Sequence, residues 1–424
     1  MIHAREIFRE SAEAGDDSPA RFFEAEVTST GPHLNRAALY GLAGDFVDTI
    51  LPHTEADPAA LLINFLVGFG SIIGRNSFYL VEGTMHYGNL FAVLVGDTSK
   101  GRKGTAWNRA KQTLAQIDPT WAKHRIHSGL SSGEGLIAAA AFAEGQKLDP
   151  RLLVIQPEFA STLAVMARQG NTLSAIIREA WDSGNLQTMV RRDALRTDGA
   201  HVSIIGHITR EELLRQLNNT EAGNGFANRF LWIRSERSKC LPEGGSLEDS
   251  KIMNLAERLR PALEFAMQPR QLSRDNRARE VWASVYPKLS EGGQGLLGAV
   301  TSRAEAQVLR LSVLFALLDR SSMIALRHLE AALALWDYAA ESAEWIFGNA
   351  MGDPVADSIL QSLLATPGGI SRSEISASLG RNQTASRISA ALQLLVKRGL
   401  AHASPHHTEG RSAEIWKPVR YGTK

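Results

Sequence analysis

"LVGDTSKGRKGTAW", residues 94–107, is the stretch on which the reading of the fold turns. Through Gly101 it has the Gly-x-x-x-x-Gly spacing of a phosphate-binding loop after an apolar strand. It then continues Arg-Lys-Gly-Thr, where the usual pattern has Lys followed directly by Ser or Thr. A phosphate site needs small residues for close backbone approach, inward-pointing N–H groups, a helix N-terminus and a cation. This stretch can supply all four through Gly96, Gly101 and Gly104, a helix beginning near Gly104, and Lys103 as the cation. Lys100 or Arg102 takes that role if the loop has another register. Thr105 is expected to place its hydroxyl on Mg²⁺, so ATP and Mg²⁺ are the implied cofactors.

Moving outward, short apolar runs alternate with helical ones: "FYLVEG", "NLFAVLVG", "RLLVIQ", "HVSIIGHI" and "RFLWIR". That alternation predicts an α/β fold with a mainly parallel central sheet. "RLLVIQPEF" puts Gln156, Pro157 and Glu158 at a strand end, where a phosphate loop needs an acidic partner, and Glu158 is the candidate to polarise an attacking water. Gln156 stands where a metal-binding acid is usual. "HVSIIGHITREE" ends in His207 and Thr209, candidate sensors of the terminal phosphate. Thr209 reads equally as a helix N-cap, because Glu212 completes a capping box. "LQTMVRRDALRTDG" reads as a hairpin carrying Arg191, Arg192 and Arg196, suited to nucleic-acid phosphates or to a solvated face.

The 424 residues, 44% hydrophobic and 21% charged, have an ordinary globular composition, and the length sets a prior of about two to four domains. A net charge of +1 gives no global attraction to polyanions, so DNA contact must come from local basic patches. The single cysteine, Cys240, excludes an intrachain disulfide and fits a cytoplasmic location. The longest apolar stretch, residues 59–74, falls short of the roughly 20 residues that span a bilayer and carries Asn64, so a buried helix is expected and no membrane. Thr54 is read as the N-cap before it.

The predicted organisation is an N-terminal helical region (1–76), a P-loop ATPase core (77–240), a helical lid (241–350) and a winged helix-turn-helix (351–424). The last rests on three short helices and a hairpin, with Gln383, Thr384 and Arg387 near the start of the third helix, where base edges are read, and Arg381, Lys397 and Arg411 placed for phosphates. Such modules also serve protein contacts alone. Arg303 and Arg310 lie seven residues apart on one face of a lid helix.

Taken in order, "TEADPAALLINFLVGFGSIIGR", "GDTSKGRKGT", "VIQPEFASTLAVM", "SIIGHIT", "GFANRFLW" and "SRAEAQVLRL" resemble the DUF3987 family of replicative ATPases and helicases of phages, plasmids and genomic islands, over about residues 35–345. The same order resembles MCM-type AAA+ helicases. That likeness implies Arg229 as a finger reaching a neighbour's ATP and Arg303 as a second sensor. It also implies a hexameric ring and the hairpin arginines on a DNA strand. No primase module is read within residues 1–424, so any priming is expected to fall to a separate primase. The alternative expectation is an initiator or helicase loader that binds DNA and uses ATP as a switch.

Overall fold

Ahead of the loop the chain makes a hairpin, β1 (Ser77–Val81) and β2 (Thr84–Tyr87), and then β3 (Phe91–Gly96), whose six residues are all buried. The structure is a computed structural model and describes residues 31–97, 101–141, 149–188, 194–217, 219–293, 295–348, 353–406 and 413–419. Lys100, Arg191, Arg192 and Arg411 lie outside the described residues. The next strands are β4 (Ile126–His127), β5 (Arg151–Gln156), the short pair β6 (Leu186–Gln187) and β7 (Arg196–Thr197), β8 (His201–Thr209) and β9 (Phe230–Arg234).

Five of these form one parallel sheet in the order β4-β5-β8-β3-β9. The mixed α/β class and the parallel sheet expected from the sequence are therefore present. Alternation along each strand sends residues to opposite faces, and each face has its own core. Ala92, Leu94, Leu153, Ile155, Ile205, Leu231 and Ile233 join the helix Pro58–Ile73 on one side. Phe91, Val93, Val95, Leu152, Val154, Val202, Ile204 and Trp232 face Phe159, Leu163, Leu173, Ile177 and Trp181 on the other. The helix Leu326–Phe347 runs beside the edge strand β9 and ends in the second core, so that edge is not left open to another chain.

The strand read from "FYLVEG" does not belong to this sheet. As β1 it joins a separate sheet in the order β11-β10-β1-β2, where β10 is Arg270–Arg274 and β11 is Met323–Ile324. Its outer residues Leu80 and Val81 are exposed, which a strand buried on both faces does not tolerate. β10, "RQLSR", interrupts a region read as wholly helical; its single buried leucine leaves no period to detect.

Residues Pro32–Lys424 cluster as one compact unit. The helix Ala304–Leu318 is buried on almost every face and packs against Pro58–Ile73, so the region read as a lid shares the main core. After it come the helices Pro354–Ala365, Arg372–Ser378 and Ala385–Lys397, with β12 (Ile370–Ser371), β13 (Ala401–His406) and β14 (Ala413–Pro418) in a small antiparallel sheet over a third core. Among the described residues no helix is long and apolar enough to cross a membrane.

The N-cap of Pro58–Ile73 is Asp57, not Thr54: its carboxylate accepts from Ala59 N at 2.8 Å and Ala60 N at 3.3 Å, and Pro58 fills the first helical position. Thr54 instead accepts from Ala56 N. Asp57 also accepts from Glu236 N at 3.2 Å, which ties the helix start to the end of β9. Burial outweighs these bonds and pushes its pKa from 3.8 up to about 6. The folded state then holds a proton that the unfolded chain has already released, so stability falls as pH rises from about 4 to about 6, by on the order of 3 kcal/mol. Asp57→Asn keeps an N-cap oxygen and is expected to flatten that dependence. Melting temperatures between pH 4 and 7 read it, and an unchanged slope in the variant excludes Asp57 as the source.

Candidate active site

The loop rests on β9. Ser235, just beyond that strand, donates its N–H to Val95 O at 2.8 Å and its hydroxyl to Gly101 O at 3.1 Å. A Cβ at residue 101 would stand 2.9 Å from Ser235 O, so the close approach needs glycine. Gly104 has open space around it. Arg102 adopts left-handed backbone (φ +50°) and pairs with Glu55 at 2.5 Å, which turns it toward the N-terminal segment. Lys103 opens the helix Lys103–Leu114 and is half-buried; burial lowers its pKa, while the charges of Glu212, Glu158 and Asp97 act to raise it. Of the basic residues described in the loop, Lys103 is therefore the one that shares the sheet edge with the acidic groups.

Two neighbouring strands complete that edge. β8 lies between β3 and β5, with Gly96 opposite Thr209 and Gln156 opposite Gly206. His207 is 6% exposed and its Nε2 has no hydrogen-bond partner among the described residues. Burial first, and then the charge of Lys103, push its pKa down to about 4, so the imidazole is neutral at physiological pH. Thr209 resolves as a cap: its Oγ1 accepts from Glu212 N at 3.2 Å and donates to the Glu212 carboxylate at 2.8 Å. Glu158 is exposed beyond β5, in front of the helix Phe159–Met166. Phe159 packs so close over β8 that a Cβ on Gly206 would meet its ring at 2.7 Å.

Gln156 has a structural task. Its Oε1 accepts from Gly129 N at 3.1 Å and Leu130 N at 3.3 Å, and its Nε2 donates to Ser161 Oγ at 3.1 Å and to Glu158 O at 3.4 Å. A carboxylate cannot donate, so an amide suits this position where an acid does not. Gln156→Glu is expected to lose about 1–3 kcal/mol of stability, read by denaturant unfolding. A variant as stable as the parent contradicts the role. The sequence position alone suggested a weakened metal ligand and gave no hint of this network.

Thr105 is exposed at the third helical position, about 200° around the helix from Lys103, and the structure does not gather it with the cluster. Among the described residues no group of three or more His, Cys, Asp or Glu side chains converges on a metal position.

Arg229 and Arg303 meet elsewhere, at the N-terminal end of the strands. Arg229 is 6% exposed and pairs with Asp182 at 2.5 Å, while Arg303 reaches the other oxygen of Asp182 at 3.5 Å. A six-residue strand rises about 17–20 Å, which separates these arginines from Lys103 in the same chain. Arg303 and Arg310 do share a helix face, with guanidinium carbons 5.2 and 3.5 Å from the Trp181 ring centroid. Arg229 is held inside, where it donates to Asp182 and Gly225 O.

The residues read as DNA contacts are scattered. Arg196 is exposed but paired with Asp198 at 3.1 Å. The Thr384 hydroxyl caps its helix, Arg387 is paired with Asp353 at 2.6 Å, and Gln383 borders a cleft of about 490 Å³ against the helix Arg210–Gln216. Lys397 and Arg381 remain exposed. The reading from sequence missed Asp97, Asp182, Ser235 and Trp345, which borders the loop with Arg234 4.8 Å from its ring centroid. A carboxylate one residue past a strand was the available signal for Asp97.

No protein-family model and no curated protein matches this chain.

Proposed function

We propose that the chain is an ATPase that assembles into a ring and moves on or unwinds DNA during replication of a mobile element. The observation that carries this reading is the convergence of Lys103, Glu158 and His207 with the Gly101 turn at the C-terminal edge of the parallel sheet. That edge is the default ligand position of an open α/β sheet, between the adjacent strands β3 and β8, from which the chain departs in opposite directions, to β4 at one edge and to β9 at the other. The glycine turn and the start of the helix Lys103–Leu114 would hold the phosphates, with Lys103 neutralising their charge. Neutral His207 has an unsatisfied Nε2 to donate toward the terminal phosphate, and Glu158 would orient the attacking water. The metal ion of such a reaction would be held chiefly by phosphate oxygens and water, as Mg²⁺ commonly is.

The ring is what the likeness implies, and the position of Arg229 is compatible with it. Arg229 stands at the wrong end of the sheet for its own chain's nucleotide, so a role in hydrolysis requires a second copy. In the proposed assembly the terminal module is a winged helix, and Lys397 and Arg381 are its expected phosphate contacts.

Gln156 favours a second reading. Because its amide is spent on the network around Glu158, a single acid remains at the strand end, which suits an initiator or loader that uses ATP binding as a switch. Strand displacement and duplex binding by the full chain separate the two. ATP-driven displacement supports the motor; duplex binding that depends on residues 351–424, with no displacement, supports the switch.

A further inference from the structure

At the N-terminal end of the sheet, away from the loop, a cleft of about 720 Å³ is lined by Arg75, His86, Tyr87, Trp181, Arg303 and Arg310. Its charge is unbalanced. Three guanidiniums, of Arg75, Arg303 and Arg310, line it against one carboxylate, Asp182, which Arg303 reaches at 3.5 Å and which also pairs with Arg229 outside the lining. Arg310 is 2% exposed and has no ion pair among the described residues: it donates to Asn89 O, Asn89 Oδ1 and Trp181 O and lies 3.5 Å from the Trp181 ring centroid. Burying a guanidinium without an anion is costly, and a fold keeps one where something compensates it.

The same cleft holds unused hydrogen-bonding groups. Arg75 Nη2, Arg310 Nε, Trp181 Nε1 and His86 Nδ1 are buried with no hydrogen-bond partner among the described residues. Arg75 is otherwise fixed, by its Nε bond to Ala200 O at 2.9 Å and by Tyr87, whose ring centroid lies 4.6 Å from its guanidinium carbon. Residue 184 is a glycine at φ +71°, and a Cβ there would meet Arg75 Nη2 at 2.4 Å.

We infer that this cleft binds the phosphoryl group of a nucleotide. Separate donors from a strand, a helix end and a buried arginine outnumber the two oxygens of a carboxylate and suit the three of a terminal phosphoryl group. Tyr87 supplies an aromatic wall, and the volume lies within the range of small-molecule sites. The inference stands apart from the loop, because it uses none of the residues there.

The phosphoryl group comes either from free nucleotide or from nucleotide carried by a second copy, and one experiment separates the sources. Calorimetric titration with ADP and with inorganic pyrophosphate is made on the full chain and on Lys103→Ala, below and above the concentration at which sedimentation detects association. Binding that persists in Lys103→Ala and falls at least about tenfold in Arg75→Gln and in Arg303→Gln assigns the site to free nucleotide. Binding that requires Lys103 and associated chains, and still falls in Arg75→Gln, assigns it to nucleotide presented by a second copy. Binding unmoved by both arginine variants in every state overturns the inference, and so does loss of binding only through Lys103→Ala. Arg303→Gln, at a half-exposed position, keeps the test valid if Arg75→Gln fails to fold. Failure of the loop reading shows separately, as a number of bound nucleotides per chain that Lys103→Ala leaves unchanged.

Discussion

Arg229→Ala is expected to lower ATP turnover by about 10³-fold or more in the assembled protein while leaving nucleotide binding to the separated chain unchanged. An arginine that stabilises charge on a transferring phosphoryl group acts in the transition state and adds little to ground-state affinity. The distance between the two ends of the sheet makes the effect a property of assembly. Arg229 must also leave Asp182 to act, so Asp182→Ala frees both Arg229 and Arg303 and is expected to raise turnover in the assembled protein. Steady-state turnover paired with nucleotide titration reads both variants. An Arg229→Ala protein that loses ATP affinity in the separated chain, or turns over at the parental rate when assembled, contradicts the role.

Lys103→Ala is expected to weaken ATP binding about 10- to 100-fold and to remove measurable turnover. A charge-assisted hydrogen bond to a phosphate is worth about 1.5–3 kcal/mol, and Lys103 is already desolvated and surrounded by Asp97, Glu158 and Glu212. Arg102→Ala provides the contrast. Its guanidinium is committed to Glu55, so the change is expected to leave affinity within about threefold. Equal losses in the two variants would mean that the loop binds phosphate in another register.

How far the fold could be read ahead depended on how each element is buried. The strands β3, β5, β8 and β9 are buried on both faces and so are continuous apolar runs, legible without knowledge of their neighbours. β4 contributes two residues to the same sheet, and β10 has a single buried leucine; neither leaves a periodic trace. "FYLVEG" was legible as a strand, but membership of a sheet is decided by long-range pairing, here to Arg270–Leu272.

The same division runs through the site. Lys103, Glu158 and His207 were readable because each follows or ends an apolar strand, where the topology fixes their common edge. What the sequence could not disclose was which polar groups are already committed: Arg102 to Glu55, Gln156 to its neighbouring loop, Thr209 to Glu212, Arg387 to Asp353. Each of those partners depends on side-chain geometry that no local pattern encodes.

The most direct test of the central claim is ATP turnover by the full chain as a function of its own concentration, with and without single-stranded DNA, alongside Lys103→Ala. The expected result is a specific activity that climbs as chains associate, climbs again with DNA, and is absent from the variant. Turnover that is independent of concentration and DNA, or that survives in Lys103→Ala, contradicts it.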